Sequence, residues 1–598
     1  MLAQVADPIV YDKISKEEVK QTPFLDRQML YVQDSNNANY STNQVVFETQ
    51  ALSSSGRWLD YSESYLSFPV YMTASTAEAN FTFDDAAEIH ADYLLGLKSG
   101  SHQLIHSISL DYNGSNVIQP NGYVNLLANY NMVTSFSQED IRKLNASIFF
   151  NPPTEGDSWV FSPAVRTSFG TGLCDNNNYI QTAGLAQGEA QARVYRGNKG
   201  FLDNQRAMVG SFAVPASGNF ESGFASNSAV SLVTNATQND LYVNKNIDVN
   251  RVHVKRVMAC IRLKDIHDFF GNLPLLRMAN LRLVLNINNS SFTVVKSASA
   301  AGHNPSLLAI TGPVMSLAGP PSLANGTNPM MIASSFGSAA ETASGGACIT
   351  SLAGVAANIL CAVSVGRILD STQIGLGAPT DFIACRWYVP SYTMTPQYVS
   401  QYLGIGSKKC TFEDFLCIQV PAGAGASVTQ LLTPSLKNVS RVIVVPHIAT
   451  ASLFDTAGAG VGGTTTQLGT PFCDGCFTAP LVGGGLSQLN IRLGGVDVIA
   501  AGGHRFGYEF FRSQMPCGVN AGLTDGFSSG LINEQNWTKG MYQYYTVDCS
   551  RRLLEAENLP QSVELTATNR SRVALTLYCF IVYKREIVID VATSAQVA

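Results

Sequence analysis

The chain has 598 residues, 45% of them hydrophobic, enough for two or three domains with buried cores. Only 14% are charged, against roughly 25% in ordinary soluble domains, so the polar surface must come from Asn, Ser, Thr, Gln and Gly, which argues against a helical enzyme with a solvated exterior. The net charge of −6, from 38 basic and 44 acidic residues with no Lys/Arg cluster, argues against direct binding of nucleic acid.

Along the chain, period-two alternation dominates over helical periodicity. Residues 1–40 read as an N-terminal arm in which Lys13, Lys16, Lys20 and Arg27 are interleaved with Glu17, Glu18 and Asp26. Strands are expected at Gln44–Gln50, Tyr65–Met72 and Leu104–Tyr112, the last closing on Asn113-Gly114, a strong two-residue hairpin signal. Ser137-Gln-Glu-Asp140 has the form of a capping box, with Asp in the acidic place, opening a short helix to about Leu144. Residues 150–249 are rich in Gly, Asn, Ser and Ala with weak periodicity, and read as a large loop insertion. Asn272-Leu273-Pro274 then leads into Leu281–Ile287, whose odd positions are all apolar.

Residues 301–379 are poor in charge and rich in Gly, Ala and Ser, and read as a long connection ordered against a neighbour. Within it, Ala347–Gly366 is the one uncharged run of membrane-spanning length, but Thr350, Ser351, Asn358 and Ser364 dilute it, and no membrane span is expected. Thr395-Pro396 opens a turn or two of helix to Leu403. Further strands are expected at Glu413–Val420, Arg441–Ile448 and Tyr542–Asp548. Asn558-Leu559-Pro560 precedes Val563–Thr568, and Arg572–Lys584 is apolar on nearly both faces, as for a strand between two layers.

Two halves of this pattern repeat. The hairpin around Asn113-Gly114 matches one around Gly494-Gly495, and each is followed downstream by Asn-Leu-Pro and a long alternating strand. Gly114 lies 158 residues before Asn272, whereas Gly495 lies only 63 before Asn558, so the first half should carry the insertion. The reading is all-β: a first unit over 41–300, the connection over 301–379 and a second unit over 380–598.

Features that could carry chemistry read more simply as structure. Gly526-Phe-Ser528-Ser-Gly530 matches G-x-S-x-G, but no apolar strand precedes it to build a nucleophile elbow, so a Gly/Ser loop is expected. Cys473-Asp-Gly-Cys476 is a lone CxxC without a second pair to complete a zinc site; an adventitious or inter-subunit disulfide remains open. The eight histidines show no metal-ligand spacing. Cysteines such as Cys260 and Cys579 sit in apolar runs as small hydrophobes, and with no signal peptide at the start a reducing compartment is expected. No catalytic, cofactor-binding or metal residue is assigned.

The tandem β units and the insertion resemble the double jelly-roll major capsid proteins of virophages and polinton-like viruses, in the adenovirus-hexon-like lineage. Residues 269–286, from Phe269-Phe270-Gly271-Asn272 onward, look like the region closing the first roll. Cys385-Arg-Trp-Tyr-Val-Pro-Ser-Tyr392 looks like the opening of the second. The resemblance covers roughly residues 40–300 and 380–598. It implies two eight-stranded jelly rolls per chain and pseudo-hexagonal homotrimers that tile an icosahedral shell around a DNA genome. It also implies contacts with neighbouring capsomers, penton and minor capsid proteins, a place in the virion after assembly inside the infected host cell, no enzymatic activity and no cofactor. The competing reading is a secreted β-rich carbohydrate-binding protein or glycoside hydrolase, which would need exposed tryptophan platforms from among Trp58, Trp159, Trp387 and Trp537 and a carboxylate pair.

Overall fold

A computed structural model describes residues 23–36, 40, 43–76, 93–97, 100–137, 139–141, 143, 209–210, 242–247, 250–288, 290–296, 309–311, 330–334, 357–366, 384–448, 454–455, 466–467, 485–499, 528–533, 544–550, 559–570 and 574–597. The first roll is built from β1 (Phe24–Gln33), β2 (Gln44–Glu48), β3 (Tyr65–Thr76), β4 (Ile105–Tyr112), β5 (Ser115–Asn121), β6 (Asn250–Arg262), β7 (Leu281–Ile287) and β8 (Arg386–Met394). Its strands pair antiparallel as β1-β8-β3-β6 in one sheet and β2-β7-β4-β5 in the other.

The second roll uses β9 (Ser407–Ala422), β10 (Ser427–Leu436), β11 (Val439–Ile448), β12 (Leu486–Leu493), β13 (Val496–Asp497), β14 (Tyr545–Asp548), β15 (Gln561–Asn569) and β16 (Leu575–Asp590). Its sheets are β9-β16-β11-β14 and β10-β15-β12-β13. Each strand of the first roll therefore has a counterpart eight places on, in the same position of the corresponding sheet of the second. This duplicated connectivity is a double jelly roll.

Local chemistry explains why these segments form these elements. In β7 the residues Leu281, Leu283, Leu285 and Ile287 are fully buried while Arg282 between them is exposed, so one face seals the roll and the other meets solvent. Asn113 (φ 47°) and Gly114 (φ 86°) both sit in the left-handed region that a type I′ hairpin requires, as do Gly494 (φ 59°) and Gly495 (φ 84°) in the second roll. Thr395 caps the helix α2 (Pro396–Leu403) by position, with proline at its first turn, although its side chain makes no capping hydrogen bond. The Ser137 box is closed both ways: Ser137 Oγ accepts from the Asp140 amide (3.1 Å), and the Asp140 carboxylate accepts from the Ser137 amide (2.9 Å).

Two segments fall elsewhere than their sequence suggests. The stretch around Cys385–Tyr392, expected to open the second roll, is β8, the strand between β1 and β3 in the first. The arm residues 24–33, expected outside the rolls, form β1 beside it. The link between rolls is thus only the α2 region, and the residues between β7 and β8 are an excursion within the first roll. Part of that excursion extends the first sheet: Ala357–Val365 pairs with β3, and Ser290–Lys296 pairs with it in turn. The described part of the uncharged run Ala347–Gly366 is therefore a strand, and no helix among the described residues is long and apolar enough to cross a membrane. Of the proposed insertion 150–249, the described residues are Val209–Gly210 and Tyr242–Ile247, the latter paired with β6.

Candidate functional site

The feature that most distinguishes this chain from two separate rolls is the buried seam that joins them. Its centre is the helix α1 (Val124–Ser135), which follows β5 and lies between the rolls. Ten of its residues are buried, around its whole circumference, so it lacks the one-sided apolar stripe that marks a surface helix. Hence no helical stripe is legible there from the residue pattern. Asn129 Nδ2 donates to the Tyr544 hydroxyl (2.7 Å), Tyr130 and Thr546 share a hydroxyl hydrogen bond (3.1 Å), and the Leu531 amide donates to the Val133 carbonyl (2.8 Å). At the head of α1, the Tyr123 ring packs edge-on against Tyr578 of the second roll (4.9 Å) and against His106 of the first (5.0 Å).

Further along the seam, β9, the edge strand of its sheet, lies against the turn region between β6 and β7. The Phe269 and Phe412 rings meet edge-to-face at 4.9 Å. Beside them is a buried charged cluster. His267 Nδ1 accepts the Phe269 amide (3.2 Å), which leaves Nε2 as the protonated nitrogen, 3.6 Å from Asp414 Oδ1. The other Asp414 oxygen accepts from Arg585 (2.8 Å) and from the Tyr583 hydroxyl (3.3 Å), and the Phe415 amide donates to Oδ1 (2.8 Å). Burial alone would raise the Asp414 carboxyl, but the facing His267, the Arg585 guanidinium and the Phe415 amide outweigh it and hold the group below its ordinary value. The Tyr583 hydroxyl is pushed up to about 12 by burial and by the Asp414 charge. Arg585 also donates to the Val117 carbonyl of the first roll (2.6 Å), so the cluster ties the two rolls by charge and by hydrogen bond.

The seam is finished by the C-terminal turn. The Tyr112 hydroxyl (2.6 Å) and Asn113 Nδ2 (2.8 Å), at the first hairpin, donate to the Ser594 carbonyl. Ser594 Oγ donates to the Arg277 carbonyl (2.6 Å) and accepts from the Arg277 amide (3.0 Å). Such a set can position and stiffen the joined rolls.

The residues singled out from sequence find structural places. Ser528 lies in a two-residue strand, Ser528–Ser529, paired with Ile532–Asn533, which is a hairpin and not the strand–turn–helix of a nucleophile elbow. Gly530 of the same motif has φ 58°, and a Cβ there would meet the Val133 and Thr134 backbone at 2.5 Å, so this glycine is needed for close approach to α1. Trp58 and Trp387 are buried core residues and not sugar platforms; Trp159 and Trp537 lie outside the described residues, as do Cys473 and Cys476. His102 is buried against Asn129 and Gln103, and no group of three or more metal-ligating side chains occurs among the described residues. Cys579 is buried, as expected of a thiol acting as a small apolar group, whereas Cys260 is only half-buried.

Fold and seam define a protein of the double jelly-roll class. No protein-family model and no curated protein matches the sequence. Among solved structures, the chain is similar to one in the cryo-electron-microscopy structure of the Sputnik virophage (11% identity, 96% of this chain and 88% of that one, TM-score 0.45). It is also similar to the mavirus major capsid protein (12% identity, 99% and 94%, TM-score 0.42) and to the Faustovirus major capsid protein (10% identity, 96% and 93%, TM-score 0.41).

Proposed function

We propose that this chain is a viral major capsid protein, a structural subunit and not an enzyme. Its homotrimers, pseudo-hexagonal in outline, tile an icosahedral shell around a DNA genome. The observation that supports this reading is the duplicated roll: two wedges of one connectivity, fused by a buried seam and joined by a short link, make each chain a stiff block with two corners. Three such blocks in a ring supply six corners, the outline that packs a flat facet without gaps. Neighbouring capsomers, penton proteins and minor capsid proteins are its partners, and genome packaging falls to other proteins. Assembly takes place inside the infected host cell and the mature location is the virion.

The test is the solution mass of the purified chain by light scattering, with negative-stain images of the same peak. A particle of about three times the 64.1 kDa chain mass with a hexagonal outline is expected. A stable monomer would overturn the reading.

A further inference from the structure

All four histidines whose side chains are described, His102, His106, His267 and His447, lie along the seam between the rolls. They fall into two environments.

Three surround α1. His102, in the short turn Ser101–Leu104, is 3% exposed and meets Asn129 of α1, which in turn donates to the Tyr544 hydroxyl of the second roll. Gln103 Oε1 accepts from Asn125 Nδ2 (3.1 Å), so Gln103 Nε2 faces His102 Nε2 (2.7 Å) and that ring nitrogen is the acceptor. Protonation would set two donors against each other there, offset in part by Asn129 Oδ1 at 3.2 Å. His106 of β4 packs on Tyr123 at the head of α1, and His447 of β11 packs on Tyr578, the ring that Tyr123 touches across the seam. The helix itself carries no charged residue. A proton added to His102 or His106 therefore meets amides and rings but no carboxylate of α1, and burial holds both histidines down to about 4.

The fourth, His267, faces a carboxylate. Burial works against the charge on Asp414, but His267, Arg585 and the Phe415 amide hold it below its ordinary value, so a protonated His267 keeps a counter-charge in mild acid. Beside this cluster Asp268 accepts the Glu413 amide (3.0 Å), and Glu413 is paired with Arg441 (2.7 Å). The Ser594 clip is made by Tyr112, Asn113 and the Arg277 backbone, none of which titrates in mild acid. Asp590, which caps the same turn, is held below its ordinary value by the Thr593 amide and hydroxyl.

We propose that the contact between α1 and the second roll is an acid-released clasp: protonation of His102 and His106 opens it while the Asp414 cluster and the Ser594 clip stay closed. The chain is then a stiff block at neutral pH and a compliant one in mild acid, whatever it assembles into.

Hydrogen exchange of the purified full chain, corrected for intrinsic amide rates, reads the opening at each place. With a folded value of about 4 against an ordinary 6.5, His102 should raise the opening constant of the α1 amides about fifty-fold between pH 7 and 4.5, and half-buried His106 should add a smaller factor. The Phe415 and Ala595 amides should hold their protection. Met132, on α1 and 3% exposed, gives a readout that needs no substitution: its oxidation by peroxide should quicken over the same range, while exposed Met278 keeps its rate. His102→Gln/His106→Gln should abolish the acid response of α1, and His267→Gln should retain it. Unchanged α1 exchange and Met132 oxidation in acid would overturn the clasp. So would α1, Phe415 and Ala595 amides quickening together, or an acid response that survives in the folded double variant.

Discussion

Acidification should loosen this protein through two histidines at the seam. Burial pushes His102 down to about 4, against an ordinary 6.5, with Asn129 acting weakly in the opposite direction; burial likewise pushes His106 down to about 4. His102 Nε2 lies 2.7 Å from Gln103 Nε2 and 3.2 Å from Asn129 Oδ1, while His106 packs on Tyr123, which leads to Tyr578 and then His447. A histidine depressed in the folded state binds fewer protons there than when unfolded. Its stabilisation is therefore complete above pH 6.5 and is lost as pH falls toward 4. Between pH 7 and 4.5 each site should cost about 2–3 kcal/mol, with partly exposed His106 contributing the smaller share, or about 5 kcal/mol for both. Asp414, held below the carboxylate value, titrates under this window and does not confuse it. The assay is denaturant unfolding at half-unit pH steps on the unaltered protein and on His102→Gln/His106→Gln. The double variant should be less stable at pH 7 but much flatter with pH. The same slope in both proteins would refute the assignment.

Other substitutions probe the seam and core separately. Gly530→Ala forces a left-handed alanine and a Cβ into the α1 backbone, and should cost about 1–3 kcal/mol or more, read as a lowered unfolding midpoint. Asp414→Ala leaves Arg585 and His267 without their shared carboxylate and should cost about 3–5 kcal/mol, with Asp414→Asn costing less; equal stability of all three proteins would show that the cluster is not a tie between rolls. Trp387→Ala empties the centre of the first core, where Phe47, Tyr61 and Phe270 surround the indole at 5.4–6.3 Å between ring centroids. A loss of about 3–5 kcal/mol is expected, confined by hydrogen exchange to the first roll if the rolls open separately.

The features legible in the sequence are those whose physics is local. Asn113-Gly114 and Gly494-Gly495 declare their turns because few residues tolerate positive φ, and Leu281–Ile287 declares its faces because side chains alternate along a strand. The unbroken apolar run in Tyr578–Val582 announces a strand covered on both sides. From such signals the all-β class and the internal repeat follow directly.

Alternation reports that a strand has a buried face, but not which strand lies beside it. Cys385–Tyr392 carries the same pattern whether it opens the second roll or fills the gap between β1 and β3. That choice is made by hydrogen bonds to Tyr31 and Leu66, more than 300 residues away in sequence. Helix α1 was hidden for a related reason: its side chains are buried all round by two rolls, so no periodic stripe survives to be read. His267, Asp414 and Arg585 lie far apart in the sequence and become a cluster only once the rolls are joined. The sequence by itself determined strands, turns and their duplication, which depend on neighbours a few residues away. Strand partners and the seam were decided by tertiary packing, because burial and pairing depend on what the rest of the chain brings alongside.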